Sequence, residues 1–201
     1  MKEMNEKEKI LDAAGYGICL FSLEVLQDFL KERKIRSKKL LDKYQKEKDL
    51  YLVSQKEGTW MPIVQINALE YVVKLEGYDA PFDEAEWEQK FAYAGFNLEI
   101  KDTLCIADIG RLLTYEEEEF REYEGTYQVM CGYPSVLCTK FQYFKYDVPS
   151  GKYLLSVKGY AKKTPQGKWY DPGNCGFYFS LKKTDAFVGF QNPRESDLYD
   201  D

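Results

Sequence analysis

Apolar residues recur along this chain with two different periods, and the change from one to the other comes near Tyr51. Before it, Leu23, Leu26, Phe29 and Leu30 follow Ser22 at three- and four-residue spacing, and Leu40, Leu41 and Tyr44 follow Ser37 in the same way. A capping hydroxyl followed by an apolar stripe at helical spacing predicts two helices that dock by those stripes. After Tyr51 the period falls to two. Leu69, Tyr71, Val73 and Leu75 share one face, as do Tyr153, Leu155 and Val157, and again Cys175, Phe177, Phe179 and Leu181. Such alternation predicts strands buried on one side. Weaker strand signals lie at 50–55, 61–67, 96–100, 103–109, 126–131 and 136–146, the last changing phase between Tyr143 and Phe144 as a bulge would.

Two short helical inserts interrupt the strands. Residues 83–90 begin with a capping Asp83 and place Trp87 and Phe91 four apart, while Thr114 opens the second insert at Tyr115 and Glu116. The pattern as a whole predicts an α+β fold with a single main domain. Its N-terminal helices, in a region spanning residues 1–50, pack on a largely antiparallel β-sheet carried by residues 51–201.

Charge follows the same division. Residues 1–50 carry 12 Lys and Arg against 10 Asp and Glu, while residues 51–201 carry 16 against 24, so the first part is +2 and the rest −8. A net negative domain repels phosphates, which argues against nucleic acid as a partner. The basic residues Lys31, Arg33, Lys34, Arg36, Lys38, Lys39, Lys43, Lys46 and Lys48 could form a phosphate-binding face. They read better as a solvated helix surface, since no stacking aromatics or glycine-rich loop accompany them. No apolar run reaches the roughly 20 residues of a membrane helix, and the mixed charge of the first nine residues is unlike a signal peptide, so a cytoplasmic protein without a membrane partner is expected.

The 201 residues include no histidine, which removes the usual general base and commonest metal ligand at neutral pH. Cys19, Cys105, Cys131, Cys138 and Cys175 are odd in number and lack metal-site spacing, so they read as buried free thiols, with a Cys131–Cys138 bridge as the alternative. Gly15 and Gly17 lack the rest of a dinucleotide-binding fingerprint. Carboxylates are the remaining catalytic stock. Asp79, Asp83, Glu84, Glu86 and Glu88 lie close in sequence, but their spacing also suits a solvated helix start. No catalytic residue, cofactor or metal is therefore expected.

Binding is the better-supported class. Tyr115, Glu116, Glu117, Glu118, Glu119, Glu122, Tyr123 and Glu124 belong to a ten-residue run with six acids and three aromatics. It could serve as a solubilising surface, or present carboxylates to a basic protein with Tyr115 and Tyr123 as anchors. Trp169 and Tyr170 sit in a long connection, 164–174, where they either fold back over the core or are presented for recognition.

With no catalytic motif, and with the segments Gly58-Thr59-Trp60-Met61-Pro62, Gly151-Lys152-Tyr153 and Asn192-Pro193-Arg194-Glu195, the chain resembles the immunity proteins of bacterial polymorphic-toxin systems. That resemblance implies a small, acidic cytosolic protein that binds a cognate toxin and blocks it, and toxins that are nucleases are often basic. The alternatives are an adaptor or regulatory subunit of another assembly, and a carboxylate-dependent hydrolase.

Overall fold

The computed structural model describes residues 8–132 and 134–195. The stretch read above as unlike a signal peptide therefore falls mostly outside the described residues. Among these residues ten strands and three short α-helices follow one another as β1 Ile10–Asp12, β2 Gly17–Phe21, α1 Leu23–Glu32, α2 Leu40–Lys46, α3 Lys48–Lys56, β3 Trp60–Val64, β4 Glu70–Leu75, β5 Trp87–Ile100, β6 Thr103–Asp108, β7 Glu124–Cys131, β8 Val136–Asp147, β9 Gly151–Lys162 and β10 Cys175–Thr184. All ten strands join one sheet. Its hydrogen-bonded order is β3-β2-β6-β8-β1-β4-β10-β9-β5, with β7 added on β8.

This architecture corrects the α+β expectation. Of the described residues 43% are strand and only 20% helical, and the sheet winds into a nearly closed, barrel-like form rather than lying open beneath a helical region. Nor is the sheet antiparallel throughout, since β1 pairs parallel with β8 and β4 parallel with β10. The end strands β3 and β5 are linked where the Glu99 amide donates to the Gly58 carbonyl at 2.7 Å. Gly58 has φ +68°, a left-handed conformation open to glycine at little cost. Curling of the sheet has a simple cause: side chains alternate in and out along each strand, and the inward set is large enough to fill a common interior.

That interior holds Leu20, Ile63, Val73, Leu98, Ile106, Leu155 and Phe179 among others. The faces read from the alternation of β4, β9 and β10 are the ones that point into it. On β8, Phe141 and Phe144 both face inward while Tyr143 faces out. The bulge responsible leaves Gln142 unpaired opposite β7, where Gly125 pairs with Tyr143 and Thr126 with Phe141.

The helices cover one sector of the outside. Leu26, Phe29, Leu40, Leu41 and Tyr44 pack with Cys19, Phe21, Cys105 and Ala107, the outward residues of β2 and β6. Trp60 fixes this layer: Tyr44 stacks on it at 4.8 Å, Tyr51 meets it edge-on at 6.2 Å, and its indole N–H donates to Ser54 Oγ at 2.9 Å. Because β2 is covered on both faces, all five of its residues are buried and it shows no alternation. Both β1 and β2 lie within residues 1–50, so the N-terminal region contributes to the sheet itself.

Two local assignments change as well. The strand expected at 50–55 belongs to helix α3, whose Tyr51, Ser54 and Gln55 are buried at helical spacing. The helix expected at 83–90 is instead a turn followed by β5, because pairing with β9 carries Trp87 opposite Lys162 and Phe91 opposite Gly159. Trp87 then packs outside the barrel against Phe82.

Candidate functional site

The acidic run is partly built into the fold. Tyr115 donates its amide to the Lys38 carbonyl at 2.7 Å, and its ring stacks on Phe120 at 6.0 Å. Phe120 is fully buried, edge-on to Phe21 at 5.3 Å. Burial pushes the Tyr115 hydroxyl far up, which matches a core position. The expectation that Tyr115 anchors a partner is therefore corrected, since its ring is 8% exposed. Between the two rings, residues 117–120 form a 3-10 turn that sends the carboxylates outward.

Three of the six acids are paired within the molecule: Glu116 with Lys38 at 2.5 Å, Glu118 with Arg121, and Glu119 with Arg111. The basic run thus supplies one counter-ion to the acidic run. Among the described residues no ion pair engages Glu117, Glu122 or Glu124. Tyr123 stands 54% exposed, and its hydroxyl donates to Asp147 Oδ1 at 2.6 Å, which raises its pKa.

The connection from β9 to β10 is held by side-chain to backbone hydrogen bonds. Asn174 is buried at its base, where Nδ2 donates to the carbonyls of Gln166 at 3.0 Å and Lys168 at 2.8 Å while Oδ1 accepts the Gln166 amide at 2.9 Å. Asp171 accepts the Lys168 amide at 2.8 Å. On this frame Trp169 and Tyr170 are 56% and 43% exposed and meet edge to face at 5.6 Å. Both rings are thus exposed to solvent and do not fold back over the core.

A third surface was not singled out from the sequence. Strands β7 and β8 form a hairpin arm whose outer half exposes Val129, Met130, Val136 and Leu137. Its base is clasped to the barrel by a square of residues. Asp12 and Glu70 are opposite one another on β1 and β4, as are Tyr127 and Lys140 on β7 and β8. The Tyr127 hydroxyl donates to Asp12, and Lys140 pairs with Glu70. Burial, then the Asp12 carboxylate, pushes the Tyr127 hydroxyl far up. Glu70 also touches the aromatic connection, since its carbonyl accepts the Gly173 amide at 3.4 Å. One sequence signal could have found the arm: residues 125–139 contain no charged side chain, in a chain that is 31% charged.

The other candidates have structural places. Asp79 accepts Lys9 at 2.7 Å, the Tyr146 hydroxyl at 3.0 Å and the Leu75 amide at 2.8 Å, while Asp83 accepts the Ala85 amide and Glu88 pairs with Lys90. Among the described residues, no three His, Cys, Asp or Glu side chains are grouped to hold a metal ion. Gly15 serves a close approach, its amide donating to Asp108 Oδ1 at 2.8 Å. Burial raises the Asp108 carboxyl, against hydrogen bonds from the Gly15 and Gly110 amides.

The five thiols are free. Cys19 and Cys105 are buried, and burial pushes both pKa values far up. Cys131, Cys138 and Cys175 are only half-buried, which corrects the expectation that all five are inside. The segments that carry the immunity-protein resemblance also have places in the fold, for Trp60 is core, and Asn192 Oδ1 accepts the Tyr51 hydroxyl at 2.9 Å.

No protein family, curated protein or solved structure matches the chain. Among the described residues, no helix is long and apolar enough to cross a membrane.

Proposed function

We propose that this chain is a non-catalytic protein-binding protein whose contact surface centres on Trp169 and Tyr170. The observation that carries this reading is an exposed Trp-Tyr pair on a connection clamped by the buried Asn174. Large aromatic rings held rigidly in water forgo burial in the free protein and lose little entropy when a partner covers them, which is the character of an interface anchor. The net charge of −8 on residues 51–201, with Tyr123 and with Glu117, Glu122 and Glu124, which no ion pair engages among the described residues, supports a basic partner whose approach is steered by charge. A toxin domain neutralised by this protein, as the immunity-protein resemblance implies, fits that partner chemistry.

An adaptor or regulatory subunit is the second reading. It is favoured by the uncharged, exposed arm, which suits a standing assembly contact better than a steered encounter.

The test compares wild-type protein and the double variant Trp169→Ala/Tyr170→Ala as baits in cells of the source organism, followed by binding kinetics on whatever the wild type retains. The reading expects a partner bound at least about thirtyfold more weakly by the folded double variant, as loss of about 2 kcal/mol at a central anchor requires. Equal binding by both proteins rejects this surface.

A further inference from the structure

The arm described above ends in an open edge. Among the described residues β7 pairs with β8 on one side and with no strand on the other, so its outer row of amides and carbonyls faces solvent. Natural sheet edges are usually guarded by lysine, proline or an inward charge, because an unguarded edge templates the addition of another strand. None of these guards occurs in residues 125–131. The register irregularity at Gly125 and Thr126 lies at the base of the arm and leaves the outer half regular.

The occupant follows from charge and from the strand's own sequence. Each copy of the protein carries a formal net charge of −6, so two copies repel across most of their surfaces. The arm is where they can meet without opposing carboxylates, since residues 125–139 are uncharged. An antiparallel pairing of β7 with itself, centred on Gln128, sets Tyr127 opposite Val129 of the second copy, Thr126 opposite Met130, and Gln128 opposite its own twin. Aromatic and β-branched neighbours are favourable cross-strand pairs, and Glu124 falls beyond the paired core of the strand. The contact is closed and twofold, the commonest symmetry of homo-oligomers. It joins two marginal hairpin arms into a four-stranded sheet and extends pairing beyond Met130, which is 59% exposed in the single chain.

We infer that the protein self-associates as a twofold dimer by edge-to-edge pairing of β7, with Gln128 on the axis. This contact is separate from the Trp169–Tyr170 surface and stands whether or not that surface binds a partner.

Gln128 is exposed, so its substitution spares the core. Analytical ultracentrifugation across a range of concentrations should show a wild-type dimer that dissociates on dilution. Gln128→Lys and Gln128→Glu each place like charges opposite one another, and each should weaken the dimer by about fivefold or more. An equimolar mixture of the two variants should recover association as a mixed dimer, which a folding defect would not do. A wild-type monomer at all concentrations, or dimers of both variants as tight as the wild type, or a mixture no tighter than its components, would each overturn the inference.

Discussion

Tyr115 and Tyr123 flank the same carboxylates, yet one ring is core and the other is solvated. Replacing Tyr115 by Ala removes a buried ring stacked on Phe120 and should cost about 3 kcal/mol in urea denaturation. Tyr123→Ala loses a solvent-exposed hydrogen bond to Asp147 and should stay within about 1 kcal/mol of wild type. Asp108 makes a residue-scale prediction in pH. Burial raises its folded carboxyl above the ordinary 3.8, so the protonated form favours folding. Its contribution is fully present below 3.8 and is lost as pH rises through the folded value. Stability of the wild type relative to Asp108→Asn should therefore fall as pH rises above the ordinary carboxyl value of 3.8, and a constant difference would contradict the assignment.

At the scale of elements, the aromatic connection owes its shape to one side chain. Asn174→Ala leaves the carbonyls of Gln166 and Lys168 without their side-chain donor, a loss of about 1–3 kcal/mol expressed locally. Hydrogen exchange of amides 164–173 should accelerate while those in the middle of β9 and β10 keep their protection. Helix α3 and strand β5 illustrate how context decides an element. Residues 48–56 form a helix that sets Tyr51 against Trp60, whereas residues 87–90 are drawn into a strand by the long ladder of β9. An acidic stretch with a good helix start is overridden when its backbone can complete a sheet.

For the whole molecule, closure of the barrel depends on a backbone shape at Gly58. A Cβ there would stand 2.8 Å from the Phe187 ring and 3.0 Å from the Glu99 amide, in addition to the strain of φ +68°. Gly77 has φ +83° but open space around it, so it serves as a control. Gly58→Ala should cost about 2–3 kcal/mol and Gly77→Ala about 1 kcal/mol in thermal or urea unfolding. Equal effects would show that the link from Gly58 to β5 adds nothing to stability.

The sequence by itself determined the inward faces of β4, β9 and β10, because alternation records which side of a strand meets the core wherever the other side meets water. It likewise placed helices α1 and α2, whose apolar stripes are local in the chain. It placed Trp169 and Tyr170 in a connection, where turn residues mark the chain's path. The nearly closed sheet was not legible, because pairing β1 with β8 and linking β5 to Gly58 join segments far apart in sequence, and local periodicity does not encode such neighbours. Strand β2 escaped notice since helices and interior bury both its faces and erase the alternation. Tertiary structure alone decided that Tyr115 is core while Tyr123 is surface, and that the acidic run meets Lys38 from the basic run. The physical reason is common to these cases: composition fixes which groups must be buried or paired, and only the packed chain chooses their partners.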